Sequence, residues 1–296
     1  MRYEIHHVES FTRRAALAEF TASRDCLLIL LCHANATVTI NAGMAGLWWP
    51  LRGSTVAAAP DSRITFDRRS ILVSDSQRAQ DVSFRPNSTT IAILASQSMW
   101  SSVVSPLHAH SGTELTLFPA IHQANGTACK LLLQIMRALA VARQDSGVLA
   151  RADVFSLGVV AGLLQQPFES LIARCPGQNL SKRKAAFLRL QRIRNFISYS
   201  THPEINVTAL AAMANYSVWH FIRVYDSVFG ETPYAHISRC RVDRARKMLE
   251  VSEECVSDVA LSVGFENRAT LTRALKKRYG VSPLQIRQGR AAVCLP

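Results

Sequence analysis

Apolar and polar positions change rhythm along the chain. Between residues 20 and 100 the apolar residues come in short runs at about ten-residue spacing. Leu27–Leu31 is a continuous apolar run, Thr37–Ile40 is β-branched, and Ile64–Phe66, Ile71–Val73, Val82–Phe84 and Thr90–Leu94 continue the series. Asn41-Ala42-Gly43 and Arg52-Gly53-Ser54 supply turns between them. Short strands so punctuated predict a small barrel or sandwich. From about residue 123 the period lengthens: Ala128, Leu131, Leu132, Ile135, Met136 and Leu139 recur at three and four, as on a helix. Residues 151–174 predict a second helix, closed by Cys175-Pro176-Gly177, and the polar stretch 175–184 reads as a linker.

Beyond the linker the chain repeats itself at an offset of 49 to 50 residues. Leu210-Ala211 matches Val259-Ala260, Asn215-Tyr216 matches Gly264-Phe265, and Ser217, Phe221 and Arg223 match Asn267, Leu271 and Arg273. Gly230-Glu231-Thr232-Pro233 matches Gly280-Val281-Ser282-Pro283. A repeat is one small unit built twice, and this one reads as helix, tight turn, helix. Asn206, Ser217 and Asn267 are caps, and Thr232-Pro233 and Ser282-Pro283 are cap-plus-proline helix starts. Asn215 and Gly264 stand where the turn needs a left-handed backbone, which these two residue types tolerate. The second helix of each unit is two-faced. Phe221, Val224, Tyr225 and Val228 point to a core, as do Leu271, Ala274 and Leu275; His220 falls on the core side. Trp219, Ile222, Arg223 and Asp226 form the outer stripe of one, and Arg268, Thr272, Arg273 and Lys276 that of the other. Residues 233–250 between the units predict one continuous helix.

Charge gives these outer stripes a partner. The chain of 296 residues has a formal net charge of +13. Residues 181–290 hold 19 Lys/Arg against 9 Asp/Glu, a net of +10, whereas the remainder holds 15 against 12. A basic excess favours an anionic partner, nucleic acid or a membrane surface, and its concentration on a helical repeat is what gives it weight here. A helix fits the major groove of B-form DNA, where Arg can bond guanine O6 and N7 in a bidentate way and Thr can touch a thymine methyl or a phosphate. The expected DNA-contacting residues are therefore Trp219, Ile222, Arg223, Arg268, Thr272 and Arg273. With 48% hydrophobic and 19% charged residues the composition is globular, not disordered. The N-terminus offers no apolar signal segment and no apolar run spans a bilayer, so a cytoplasmic location with no membrane partner is expected. Seven cysteines, an odd number without a CxxC pair, fit reduced thiols; Cys26, Cys32 and Cys129 read as small core residues.

The same residues carry a family resemblance. The segment Asn215–Tyr225 with Gly230-Glu231-Thr232-Pro233-Tyr234 resembles the first half of the AraC/XylS family DNA-binding domain. Arg241–Leu249 is similar to its connecting helix, and Val259–Asn267 with Leu271–Pro283 resembles its most diagnostic stretch. The chain departs from the pattern at Leu275, where an aromatic is usual, and at Ala269 and Ile222, where polar residues are common. The resemblance implies an α+β chain in three parts. Residues 1–174 would form a cupin-like β-barrel or sandwich with C-terminal helices, sensory or dimerising, and residues 175–184 a linker. Residues 185–290 would form an all-α domain with helix-turn-helix motifs at 207–228 and 256–278. The expected function is a sequence-specific transcription regulator, not an enzyme. Its expected partners are double-stranded DNA and RNA polymerase, with a small-molecule effector and a second copy of the chain as further candidates.

One motif points elsewhere. His108-Ala109-His110 followed by Glu114 has the spacing of a cupin metal site, and such ligands can hold a divalent transition metal. The preceding Gly expected of such sites is missing, and the motif follows the predicted strands. No metal and no cofactor are therefore expected, and a metal-dependent cupin enzyme fused to a DNA-binding domain is the alternative reading.

Overall fold

A computed structural model describes the chain except for residues 9–14, 17–25, 34–35, 60–61, 105–116, 143–145, 201–204 and 294–296. It divides into two compact units, Met1–Asn195 and Phe196–Pro296.

The first unit holds twelve strands among its described residues: β1 (Arg2–Val8), β2 (Ala15–Ala16), β3 (Cys26–His33), β4 (Thr37–Ile40), β5 (Met44–Arg52), β6 (Ser54–Ala59), β7 (Ser62–Asp67), β8 (Ser70–Val73), β9 (Gln80–Phe84), β10 (Thr89–Ser96), β11 (Ala120–Gln123) and β12 (Ser146–Val148). They form a seven-stranded sheet, ordered β11-β8-β5-β10-β3-β1-β12, and a five-stranded sheet, ordered β2-β4-β9-β6-β7. β1 runs parallel to β3, while β3, β10, β5 and β8 pair antiparallel in turn.

The larger sheet is buried on both faces, which explains the unbroken apolar run in β3. Leu28, Leu30 and Cys32 point between the sheets, with Trp48, Leu72, Ala92 and Leu94 from neighbouring strands and Val38, Ala57, Val82 and Phe84 from the smaller sheet. Leu27 and Ile29 point the other way, with Leu47, Ile71 and Ile93, onto helices. Those helices are α1 (Gln97–Val104), α2 (Gly126–Ala142) and α3 (Arg151–Gln165). Their apolar stripes close the second core: Trp100 and Val103 from α1, Leu132, Ile135 and Leu139 from α2, and Leu157, Val160 and Leu164 from α3. The α+β architecture expected for the chain is present, and its β part is a two-sheet sandwich.

One helical expectation is corrected, and the expected linker contains the start of a helix. The helix expected over 151–174 is interrupted: α3 ends at Gln165, a 3-10 turn covers Gln166–Phe168, and α4 (Glu169–Ala173) resumes. Pro167 is the reason, because its ring and missing N–H cannot continue an α-helix. The stretch 175–184 is not irregular throughout, because α5 (Leu180–Tyr199) begins inside it, with the Asn179 side chain accepting from the Lys182 N–H at 2.9 Å. Most of α5 belongs to the first unit and is fastened there by polar side chains. Arg192 donates to both carboxylate oxygens of Asp75, at 2.7 and 2.8 Å, and to Gln77 at 2.7 Å. Gln191 and Asn195 both donate to the Pro119 carbonyl, at 3.2 and 2.7 Å.

Of the cysteines expected in the core, Cys32 is fully buried between the sheets and Cys129 packs against the core under the helices, while Cys26 is only half-buried at the start of β3. Burial pushes the Cys175 thiol up to about 11, so it stays protonated and unreactive. No helix among the described residues is long and apolar enough to cross a membrane.

His122, on β11, sits with its ring edge toward Phe168 at 5.5 Å, and its Nε2 has no hydrogen-bond partner among the described residues. Burial pushes its pKa down to about 4 from 6.5. The folded unit thus holds His122 neutral while the unfolded chain binds a proton. Stability contributed by the neutral ring is present above pH 6.5 and is lost as the pH falls towards 4, a loss on the order of 2–3 kcal/mol. Urea denaturation across this pH range should show that loss in the wild type and a flatter profile in His122→Phe. Equal pH profiles would contradict it.

Candidate nucleic-acid interface

The second unit is the repeat made visible. Its first half has α6 (Val207–Met213) and α7 (Val218–Phe229); its second has α9 (Val256–Ser262) and α10 (Arg268–Tyr279). The paired helices match in length, seven residues and seven, then twelve and twelve. Between the halves runs α8 (Pro233–Val251), and α11 (Pro283–Val293) follows the second.

Local chemistry fixes the corners. The side chains of Asn206, Ser217, Thr232 and Asn267 accept from the N–H three residues on, at 2.7, 3.4, 3.2 and 2.9 Å. Ser282 and Gln285 bond each other reciprocally as a capping box. Asn215 and Gly264 take positive φ, 56° and 90°, in the turns between paired helices, as the sequence requires. Each longer helix then ends on a left-handed glycine, Gly230 or Gly280. Cys255, unforeseen from the sequence, caps α9 through its sulfur, 3.3 Å from the Asp258 N–H.

Small and apolar residues seat the longer helices. Ala211 and Ala260 are almost fully buried, so each short helix lies close against its neighbours. Phe221, Tyr225 and Val228 are fully buried on α7, and Leu271 and Leu275 on α10. Val242, Ala245 and Leu249 of α8 share one core with Val259, Ala260, Val263, Leu271 and Leu275. At positions 50 residues apart the halves use different chemistry. Buried His236 is hydrogen-bonded through Nδ1 to the Tyr225 hydroxyl at 2.6 Å, and its Nε2 lies 3.2 Å from the Ser198 hydroxyl. The second half has Leu275 and Ile286 at these places.

With one face of each longer helix packed, the other is left for solvent. Trp219 is 68% exposed, far more than an indole without a partner normally is. Arg223, one turn on, is exposed and lays its guanidinium 4.6 Å over the Trp219 ring. Ile222 is half-buried beside them. On α10, Arg268 and Arg273 are exposed and Thr272 is half-buried, its hydroxyl donating to the Arg268 carbonyl at 2.8 Å. The structure thus brings Trp219 and Arg223 into contact, and joins Thr272 to the backbone of Arg268.

His220 departs from the sequence reading. It is exposed, its ring set edge-on to Tyr216 at 4.9 Å. Periodicity misplaced it because it lies one turn before Val224, which is itself only half-buried at the margin of the core stripe. Spacing also gave no sign of the bracing around Tyr279. Asp243 accepts from Arg278 at 2.6 and 3.0 Å and from the Tyr279 hydroxyl at 2.5 Å, and Arg246 lies 4.5 Å over the Tyr279 ring. The motif His108, His110 and Glu114 lies outside the described residues. Among the described residues no group of three or more His, Cys, Asp or Glu side chains could hold a metal ion.

Removing the Tyr225 hydroxyl takes away a buried hydrogen bond. Tyr225→Phe should therefore cost about 1–3 kcal/mol. At the equivalent place, Leu275→Met conserves volume and should cost less than about 1.5 kcal/mol. Denaturant midpoints of the two variants check the order, and a smaller loss for Tyr225→Phe would contradict it.

Comparison with known proteins bears on the same segment. A family model described as a helix-turn-helix domain matches residues 210–289. The probable transcription factor PqrA of Proteus vulgaris is 31% identical over 84 residues, which are 28% of this chain and 69% of that protein. The MmsAB operon regulatory protein of Pseudomonas aeruginosa is 29% identical over 101 residues, 34% of this chain but only 33% of that one. The DNA-binding domain of AdpA, a global transcriptional factor solved in complex with a target DNA, is 26% identical with a TM-score of 0.30, over 38% of this chain and 93% of that one. The chain spans about a third of the length of the Pseudomonas relative, and the residues that the family model matches are those of the helical repeat. On that repeat, its caps and its turn residues, the chain belongs to the AraC/XylS family of transcriptional regulators.

Proposed function

We propose that the protein is a sequence-specific transcription regulator that reads double-stranded DNA with α7 and α10. The observation that carries this reading is the repeated pair of twelve-residue helices, each with a packed apolar face and an outer face bearing arginine. Trp219, Ile222 and Arg223 on one helix and Arg268, Thr272 and Arg273 on the other are the proposed contacts. Thr272 fits an apolar contact, because a hydroxyl bonded to the Arg268 carbonyl leaves its methyl for a thymine.

The connecting helix sets the spacing. Nineteen residues of α8 span about 28 Å, close to the roughly 34 Å between successive major-groove faces on one side of the duplex. One chain can then read two adjacent grooves without a partner. Because the outer stripes differ, the site for one chain is asymmetric and bipartite. The first unit, with its sandwich, is proposed as the sensory or dimerising part, responding to a small-molecule effector. RNA polymerase is the partner through which binding would alter transcription. Ligand-dependent shifts in melting temperature across candidate inducers test the sensory assignment.

Sequencing the duplexes that the chain retains from a random library tests the central reading. Retained sequences should share two unlike elements about one helical turn apart. Arg223→Ala and Arg273→Ala should each weaken specific binding by roughly 1–3 kcal/mol. Equal weakening on selected and random duplexes would reduce those residues to phosphate contacts.

A further inference from the structure

The two outward helices carry very different electrostatics. α10 has five cations and no carboxylate in its twelve residues. Arg278 is tied to Asp243, but Arg268, Arg273, Lys276 and Lys277 are exposed, with no carboxylate paired to them among the described residues. α7 has one cation, Arg223, and one carboxylate, exposed Asp226, three residues further along the same outer stripe. Its net charge is zero.

Each phosphate neutralised by a cation releases condensed counterions and adds about 0.9 to the salt dependence of binding. α10 can release several such ions. α7 gains almost nothing from this effect, since Asp226 opposes what Arg223 attracts. What α7 offers is geometric. The Arg223 guanidinium carbon lies 4.6 Å over the Trp219 ring, a contact that restrains a flexible side chain, and a guanidinium can offer its N–H edge to a planar acceptor pair. Guanine O6 and N7 form such a pair, and Ile222 beside it suits a neighbouring thymine methyl.

Resting on the proposed DNA-reading function, we infer that the two helices divide the work unequally: α10 supplies most of the phosphate anchoring alongside its base contacts, through Lys276 and Lys277, while α7 contributes almost only selection, of a guanine flanked by thymine. Most of the salt dependence then belongs to the second half of the repeat, and discrimination in the first half-site comes from the contacting pair Trp219 and Arg223 on a helix of zero net charge.

The test uses the full chain and two duplexes of equal length, one enriched by the wild type from a random library and one unenriched. Affinity for both is measured by fluorescence anisotropy across a salt series, and thermal melting checks that each variant is folded. Lys276→Gln combined with Lys277→Gln should lower the slope of log affinity against log salt by about 1.8, and leave the ratio of enriched to random affinity nearly unchanged. Arg223→Lys keeps the charge but loses the planar fork. It should leave the slope nearly unchanged and cut the ratio roughly 5- to 150-fold. Three results would overturn the division: an Arg223→Lys variant that keeps the ratio, one that lowers the slope as much as the double Gln variant, or a double Gln variant that loses the ratio without changing slope. A wild type with no preference for any enriched duplex would instead overturn the DNA-reading function itself.

Discussion

Everything in the second unit depends on a single backbone constraint, applied twice. Between each short helix and the longer one that follows, one residue must take a positive φ, and Asn215 and Gly264 do so. That reversal lets the longer helix start at once from its cap, Ser217 or Asn267. A β-branched residue at either place would be strained there. The chain would then leave the short helix in another direction, and the outer face carrying Trp219 and Arg223, or Arg268 and Arg273, would no longer be set opposite a packed face.

The first unit solves a different problem. Its larger sheet has no solvent face over its central strands, so alternate residues of β3 serve two separate cores. The region is therefore legible as strands through apolar runs and turn residues, yet nearly silent about which residues face which core. β1 and β5 escaped the sequence reading for related reasons. Arg2–Val8 mixes charged, His and apolar residues because it lies toward the sheet's edge, and Met44–Arg52 contains Gly46, Trp48, Trp49 and Pro50, a composition that fits no simple alternation. Pro167 was visible, but its effect was lost because buried apolar residues, Phe168 and Ile172, follow it at helical spacing.

The helical repeat was legible almost residue by residue, because caps, left-handed turns and helix starts are local chemistry. The outward stripes followed from periodicity, except at the margin, where His220 was placed inside and lies outside. Contacts between elements far apart in sequence left no trace in spacing. The brace of Asp243, Arg278 and Tyr279 and the grip of Arg192 on Asp75 depend on packing, whereas Trp219 and Arg223 are neighbours on one stripe and only the rotamer that brings them into contact was hidden.

The unlike chemistry at equivalent buried places has a bearing on how this domain can change over generations. Tyr225 and His236 hold each other by a directional bond of 2.6 Å, which accepts very few substitute pairs, whereas Leu275 and Ile286 are held by shape and volume alone. The second half can therefore drift through many apolar combinations while keeping its outline, and its exposed residues can be retuned on a forgiving base. The first half is bound to one polar arrangement. A volume-conserving exchange beneath α10 should therefore leave its outer face in place, whereas breaking the Tyr225–His236 bond disturbs the seat of α7.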